Sequence, residues 1–306
     1  MRKFFAVFMI LVGMLFADHK IEVVGNVALL KQIDGVIYAG TDEGKLFSYS
    51  HGDENATMIL ETPKVQSYVD GEIPSKIVDF DTINGKDFVL LLYGDYMSKK
   101  LATYKNGELS KFDMPITGIK RIFLFDENTM LLLGLGSEII YFDLNEKKIT
   151  FEHKISDSPF GGITFDREKN ILMLSNEGGE IFFFDTNAKK FLRKKSIQKD
   201  NIFSVAFNGD RAIAGSNDKS CYYENGAFSK FFNAGFLVYS VALSDKFGAF
   251  TDENGINIIN TDGDIVKKIA YNGEIINNMT FYDDYLVGAG YDKTIHFWSY
   301  KWIFQA

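Results

Sequence analysis

The 306-residue sequence has one cysteine, four histidines and four prolines, and its 33 basic side chains are outnumbered by 41 acidic ones. Each shortage excludes something. A single cysteine, Cys221, permits no internal disulfide and no cysteine-rich zinc site. A formal charge of −8 argues against nucleic acid as a partner, because phosphates need a basic footprint. After the first 17 residues no apolar stretch exceeds strand length, so none reaches the roughly 20 residues of a membrane-spanning helix. Disorder is excluded from the other direction. Apolar residues make up 46% of the chain and aromatics 15%, enough for a large packed core.

The segment 1–17 differs from the rest. Arg2 and Lys3 open it, an apolar run extends from Phe4 to Leu15, and Leu15-Phe16-Ala17 has the form of a cleavage site. This is the layout of a secretory signal peptide, with an uncleaved amino-terminal anchor as the alternative. No cysteine lies near the site, so lipidation there is excluded. Loss of Arg2 and Lys3 takes the charge from −8 to −10, and the expected product is an acidic, soluble, exported protein, periplasmic in a bacterium.

From there a repeat fills the chain. Its core is an apolar strand, a Gly/Asp/Asn turn and a second apolar strand ending in aromatics. Examples are VIYAGTDEGKLFSY from Val36, MLLLGLGSEIIYFD from Met130 and ILMLSNEGGEIFFFD from Ile171. The first buried position of the second strand serves as an anchor: Leu46, Leu101, Ile139, Ile181, Cys221, Ile256 and Ile295. The anchors are separated by 55, 38, 42, 40, 35 and 39 residues, and the two ends of the chain together complete one further interval of 40. Seven intervals close on themselves. Each also contains a preceding strand, such as IVDFD at Ile77, and a following, more polar one, such as FLRKKS at Phe191.

Four strands per period of about 40 to 45 residues is the unit of a β-propeller blade. The expected fold is all-β, a seven-bladed propeller with four antiparallel strands per blade, occupying 18–306 as one domain. Apolar runs of four to six residues broken by Gly, Asp and Asn disfavour helices. The strand from His19 has no blade of its own, and as the rim strand of the last blade it closes the ring. Pro63, Pro74, Pro115 and Pro159 then all fall between one rim strand and the next inner strand, where a missing donor is tolerated.

The period, the four-strand unit and the ending DKTIHFW (Asp292 to Trp298) resemble the WD40 repeat family, with NDKSCYYE and GGEIFFFD as weaker versions. Only Trp298 stands at the tryptophan position, and no repeat has the family's Gly-His pair. The resemblance covers the chain after residue 17 and implies a platform for protein partners. The exported seven-repeat layout is similar to the periplasmic WD-repeat accessory proteins encoded beside bacterial periplasmic nitrate reductases. That likeness implies a periplasmic redox enzyme, or its maturation factors, as the partner.

Catalytic chemistry finds little support. His19, His51, His153 and His296 occupy four different repeat positions, with no pair at metal-ligand spacing, so no metal and no cofactor is expected. Cys221 reads as a small core residue. The Gly-rich turn at Gly134 precedes a strand and cannot cradle phosphate as a helix-opening loop does, and Ser137 lacks a nucleophile-elbow pattern. The hairpin turns carry Asp42, Glu43, Asp95, Glu177, Asp218, Asp252, Glu253 and Asp292 on one face. These either satisfy tight-turn geometry or form an acidic face for a basic partner or cation. Tyr68, Tyr96, Met97, Phe160, Phe236 and Tyr271 are candidates for partner binding on that face, or else pack over blade ends. The interval of 55 marks an insertion between the first two blades, and insertions on repeats often mark a binding face. A non-enzymatic interaction module is the leading expectation. A hydrolase or lyase using carboxylates over the central channel is the alternative.

Overall fold

Side chains alternate along a strand, and that alternation decides what each apolar run packs against. In Thr129–Gly134, Met130 and Leu132 point to one side while Leu131 and Leu133 point to the other. A strand apolar on both faces needs a core on each. The computed structural model, which describes residues 18–300, provides both: the first pair joins a core with the preceding sheet, the second a core with the following one.

Repetition of this rule makes a ring of seven four-stranded antiparallel blades. The innermost strands, blades 1 to 7, are Val27–Ile33, Ile77–Thr82, Ile119–Leu124, Phe160–Asp166, Ile202–Asn208, Val241–Leu243 and Asn278–Tyr282. Rim strands of blades 1 to 6 are Thr57–Glu61, Glu108–Phe112, Lys148–Lys154, Lys190–Ser196, Phe228–Asn233 and Ile265–Ala270. The seventh rim strand is His19–Glu22, paired antiparallel with Thr294–Ser299 in the register Ile21 to Ile295. The first strand of the described chain therefore completes the last blade, as the repeat arithmetic requires. No α-helix occurs among the described residues. The expected signal segment, 1–17, lies outside them.

The anchors share one environment. Each of Leu46, Leu101, Ile139, Ile181, Cys221, Ile256 and Ile295 is buried in the core between its own blade and the next. Cys221 stands with Ile213, Tyr223 and Val238, and burial pushes its thiol far above the usual range, so it is held as the neutral thiol. Close approach between blades also explains Gly215, where a Cβ would stand 2.5 Å from Val238 Cγ1 and 2.7 Å from the Val238 carbonyl oxygen. All four prolines lie outside the ladders.

Two features add to or differ from the sequence reading. The insertion that the interval of 55 places between blades 1 and 2 has secondary structure of its own, a small hairpin of Val65–Ser67 with Gly71–Ile73. Phe160, expected in an exposed connection, opens the innermost strand of blade 4 and is only 1% exposed. It packs with Leu133, Tyr141 and Leu174 between blades 3 and 4, so it is withdrawn as a partner-binding residue.

A candidate docking face and the central channel

Hairpins between the second and third strands of each blade share a face with the rim-to-inner connections. Hydrogen bonds tie the two sets together: Asp42 N to Asn26 O at 3.0 Å, Thr62 N to Gly44 O at 2.8 Å, Glu177 N to Pro159 O and Glu253 N to Ala234 O at 3.1 Å each. The candidate residues of the sequence reading, Phe160 apart, lie on this face.

Most of the acidic residues there are occupied. Asp42 accepts from Asn26 N at 2.8 Å, Asn26 Nδ2 at 2.9 Å and the Tyr291 hydroxyl at 2.9 Å. Asp218 accepts from Ser220 N and Lys199 N, both at 3.0 Å, and Asp292 from Thr294 N at 2.9 Å. Asp252 accepts from Asn254 N at 2.8 Å and Asn257 Nδ2 at 2.6 Å. Glu43 pairs with Lys45 at 3.2 Å. These are turn and connection functions, the reason Asp is favoured at such positions. Glu177 and Glu253 are the exposed carboxylates of the set without such a bond. Among the described residues no group of three His, Cys, Asp or Glu side chains converges to hold a metal ion.

The aromatics gather in a way the sequence did not reveal. Tyr68 sits at the tip of the inserted hairpin, 82% exposed, beside Val69 at 87%. Its ring lies 4.5 Å from that of Tyr96, inclined by 33°. Tyr96 and Met97 belong to the tight turn Asp95–Met97 of blade 2, with φ of 55° and 62°. Two consecutive non-glycine residues in the left-handed region cost about 1–3 kcal/mol each. Asp95 accepts from Gln66 N at 2.9 Å, which fixes the hairpin to that turn, while Val65 is buried beneath it. The result is an exposed platform of Tyr68, Val69, Tyr96 and Met97, joined by a hydrogen bond and a ring contact.

Phe236 and Tyr271 meet elsewhere, at a cleft of about 140 Å³ between blades 6 and 7 that also includes Ile275, Asp252, Glu253 and Glu274. Phe236 and Ile275 are exposed there. Tyr271 is half-buried. Its ring meets Trp298 edge-on at 5.7 Å, and its hydroxyl lies 3.4 Å from His296 Nε2. Burial holds the His296 pKa below its ordinary value, with the Lys20 charge acting in the same direction. Between cleft and platform stands Tyr291 of blade 7, exposed, bonded to Asp42 of blade 1 and with the Lys76 ammonium 5.0 Å above its ring. Taken in order around the ring, blades 6, 7, 1 and 2 each contribute an exposed aromatic or apolar group. Sequence reading missed Val69, Lys76, Ile275 and Tyr291. The signal for Tyr291 was present, since its hairpin turn is equivalent to that of Asp42 and Glu43.

The second concave feature is the channel, a cavity of about 290 Å³ lined by all seven innermost strands. An innermost strand is an edge strand, and its unpaired backbone groups need partners. Side chains of neighbouring blades provide them. Asp79 and Asp81 of blade 2 accept from Ile122 N at 2.8 Å and Leu124 N at 2.7 Å of blade 3. Lys120 of blade 3 donates to Phe160 O of blade 4 at 2.5 Å, and Ser204 of blade 5 accepts from Val241 N of blade 6 at 3.2 Å. Asn278 of blade 7 accepts from Leu30 N of blade 1 at 3.3 Å. Asp79 is also paired with Lys31 at 2.7 Å, and Asp81 with Arg167. The channel-side carboxylates thus hold blades together, which leaves them poorly placed as the free acid and base of a hydrolase.

No family model matches the sequence, and no curated protein is significantly similar to it. Among solved structures, a chain of the crystal structure of the mitotic checkpoint complex is similar, with a TM-score of 0.70 over 92% of this chain and 93% of that one. The identity is 13%, so the likeness concerns the fold alone. Fold and comparison together define the chain as a seven-bladed β-propeller.

Proposed function

We propose that this propeller is a docking platform for a protein partner, which lands on the arc of blades 6, 7, 1 and 2. The observation that carries this reading is the Tyr68–Tyr96 pair. An inserted hairpin and a strained turn together hold two aromatic rings in contact with each other and open to solvent. Consecutive strained residues cluster at ligand clamps and binding turns, and exposed aromatics within a polar rim are the groups interface hot spots favour. The layout of residues 1–17 supports an exported protein. The resemblance to accessory proteins of periplasmic nitrate reductases supports an exported redox enzyme, or its maturation factors, as the partner class.

A tagged full-length chain expressed in its exporting host tests both parts. Wild type is expected to retain a defined partner from the periplasmic extract, and the double variant Tyr68→Ala/Tyr96→Ala to lose it while unfolding at a similar temperature. Equal capture by the two proteins would remove the arc as the docking surface. Amino-terminal sequencing is expected to begin at Asp18, and retention of the chain in the cytoplasm would remove the exported partner.

A further inference from the structure

Three cations line the channel: Lys31, Arg121 and Arg167. Two are matched with buried carboxylates, Lys31 with Asp79 and Arg167 with Asp81. Arg121 is not. No carboxylate among the described residues lies within ion-pair reach of it, and its guanidinium has no hydrogen-bond acceptor there. Its surroundings add positive charge. The innermost strand of blade 3 breaks register between Ile119 and Arg121, so the bulge residue Lys120 leaves the regular alternation next to Arg121. Lys120 then reaches Phe160 O, and Lys99 of blade 2 reaches Ile119 O at 2.8 Å. Each ammonium keeps donors to spare, since it has three and one is used.

The electrostatics agree with this geometry. Burial pushes the Lys120 pKa down to about 8, helped by the charges of Arg121 and Lys99 and opposed by exposed Glu177. Burial and Arg121 lower that of Lys99 as well. Like charges are held close together at partly buried positions, with no carboxylate among the described residues in ion-pair contact with Arg121, Lys120 or Lys99, in a chain that is acidic overall. Across the cavity the wall is polar, with Ser204, Asn277 and Thr280.

We propose that the channel binds a small oxyanion, of phosphate or carboxylate type, on the guanidinium of Arg121, with Lys120 and Lys99 providing the surrounding positive field. A planar guanidinium offers paired donors to such an anion, and the channel lining holds three cations against the single carboxylate of Asp81, which Arg167 already engages. The cavity of about 290 Å³ has room for a small anion. This site is independent of the docking arc on blades 6, 7, 1 and 2.

Isothermal titration of the full chain with inorganic phosphate and, separately, citrate at low ionic strength tests it. Saturable binding of at least one anion is expected. Arg121→Gln should weaken it by about tenfold or more, and Arg121→Lys by less. Lys219→Gln, on an exposed hairpin of blade 5, should leave it unchanged. A second readout uses wild type alone: the Lys120 ammonium pKa, followed by NMR, should rise from about 8 on saturation. Absence of saturable binding, equal affinity in the Arg121→Gln protein, or an unmoved Lys120 pKa would overturn the proposal.

Discussion

The Lys31 ammonium of blade 1 meets the Asp79 carboxylate of blade 2 at 2.7 Å, with the aspartate fully buried. The same carboxylate accepts from Ile122 N of blade 3, so one side chain joins three consecutive blades. Lys31 in turn donates to Phe80 O at 2.6 Å. Asp79→Ala would leave the Lys31 ammonium without this counter-ion and the Ile122 backbone donor without its acceptor. The expected loss is about 3–5 kcal/mol in urea unfolding. Asp79→Asn retains an acceptor for Ile122 N and should lose less. A loss below about 0.5 kcal/mol for the alanine variant, the range of an ordinary surface change, would show that the joint carries no stability.

Ring closure depends on one short strand. Ile21 is buried among Val27, Ile37 and Phe297, and His19 stacks on Phe297 with ring centroids 4.3 Å apart. Ile21→Asp buries an unpaired carboxylate at the closing seam. It should lower the melting temperature sharply and speed proteolysis of the amino-terminal strand. A conservative Ile21→Val, by contrast, should cost about 0.5–1.5 kcal/mol. If both variants melt with wild type, closure by His19–Glu22 contributes nothing.

The joint between blades 4 and 5 predicts an acid-side pH dependence. Burial opposes the charged form of Glu224. Hydrogen bonds from Tyr222 and Lys195 and the charges of Lys195 and Arg193 more than offset it, leaving the Glu224 pKa below its ordinary value. A carboxylate with a depressed folded pKa contributes stability that is present above its unfolded value, about 4.3, and is lost as pH falls through the folded one. Melting temperatures of wild type should therefore fall on acidification, and Glu224→Gln should flatten part of that fall. Parallel curves for the two proteins would contradict this assignment.

Met97 offers a test that separates strain from contact. At φ 62° a glycine relieves the left-handed backbone without cost in packing, because the Met97 side chain is exposed. Met97→Gly should stabilise the isolated protein by up to about 1 kcal/mol and yet weaken partner capture. A destabilised variant would mean that the turn is held by the methionine side chain and not in spite of it.

Much of the architecture is local information. The spacing of the seven anchors, the two-sided apolar runs and the four prolines are properties of neighbouring residues, and counting the anchors gives the seven blades. Burial follows from the same alternation, which is why Cys221 could be placed in the core at a position taken by Leu or Ile elsewhere. Contacts between blades are different. Asp79 to Ile122, Asp81 to Leu124 and Asp166 to Gly209 are each 43 residues apart, one turn of the repeat, and nothing local marks which carboxylate will find a backbone donor there. The same distance in sequence hides which cations are matched and which, like Arg121, are not. It also explains Phe160: the last residue of a connection and the first of an innermost strand look alike in sequence, and only the neighbouring blade decides that one is covered. Tyr68 and Tyr96 were visible as separate aromatics 28 residues apart. Their contact exists because a hairpin folds back onto a strained turn, and only the assembled blades bring those two elements together.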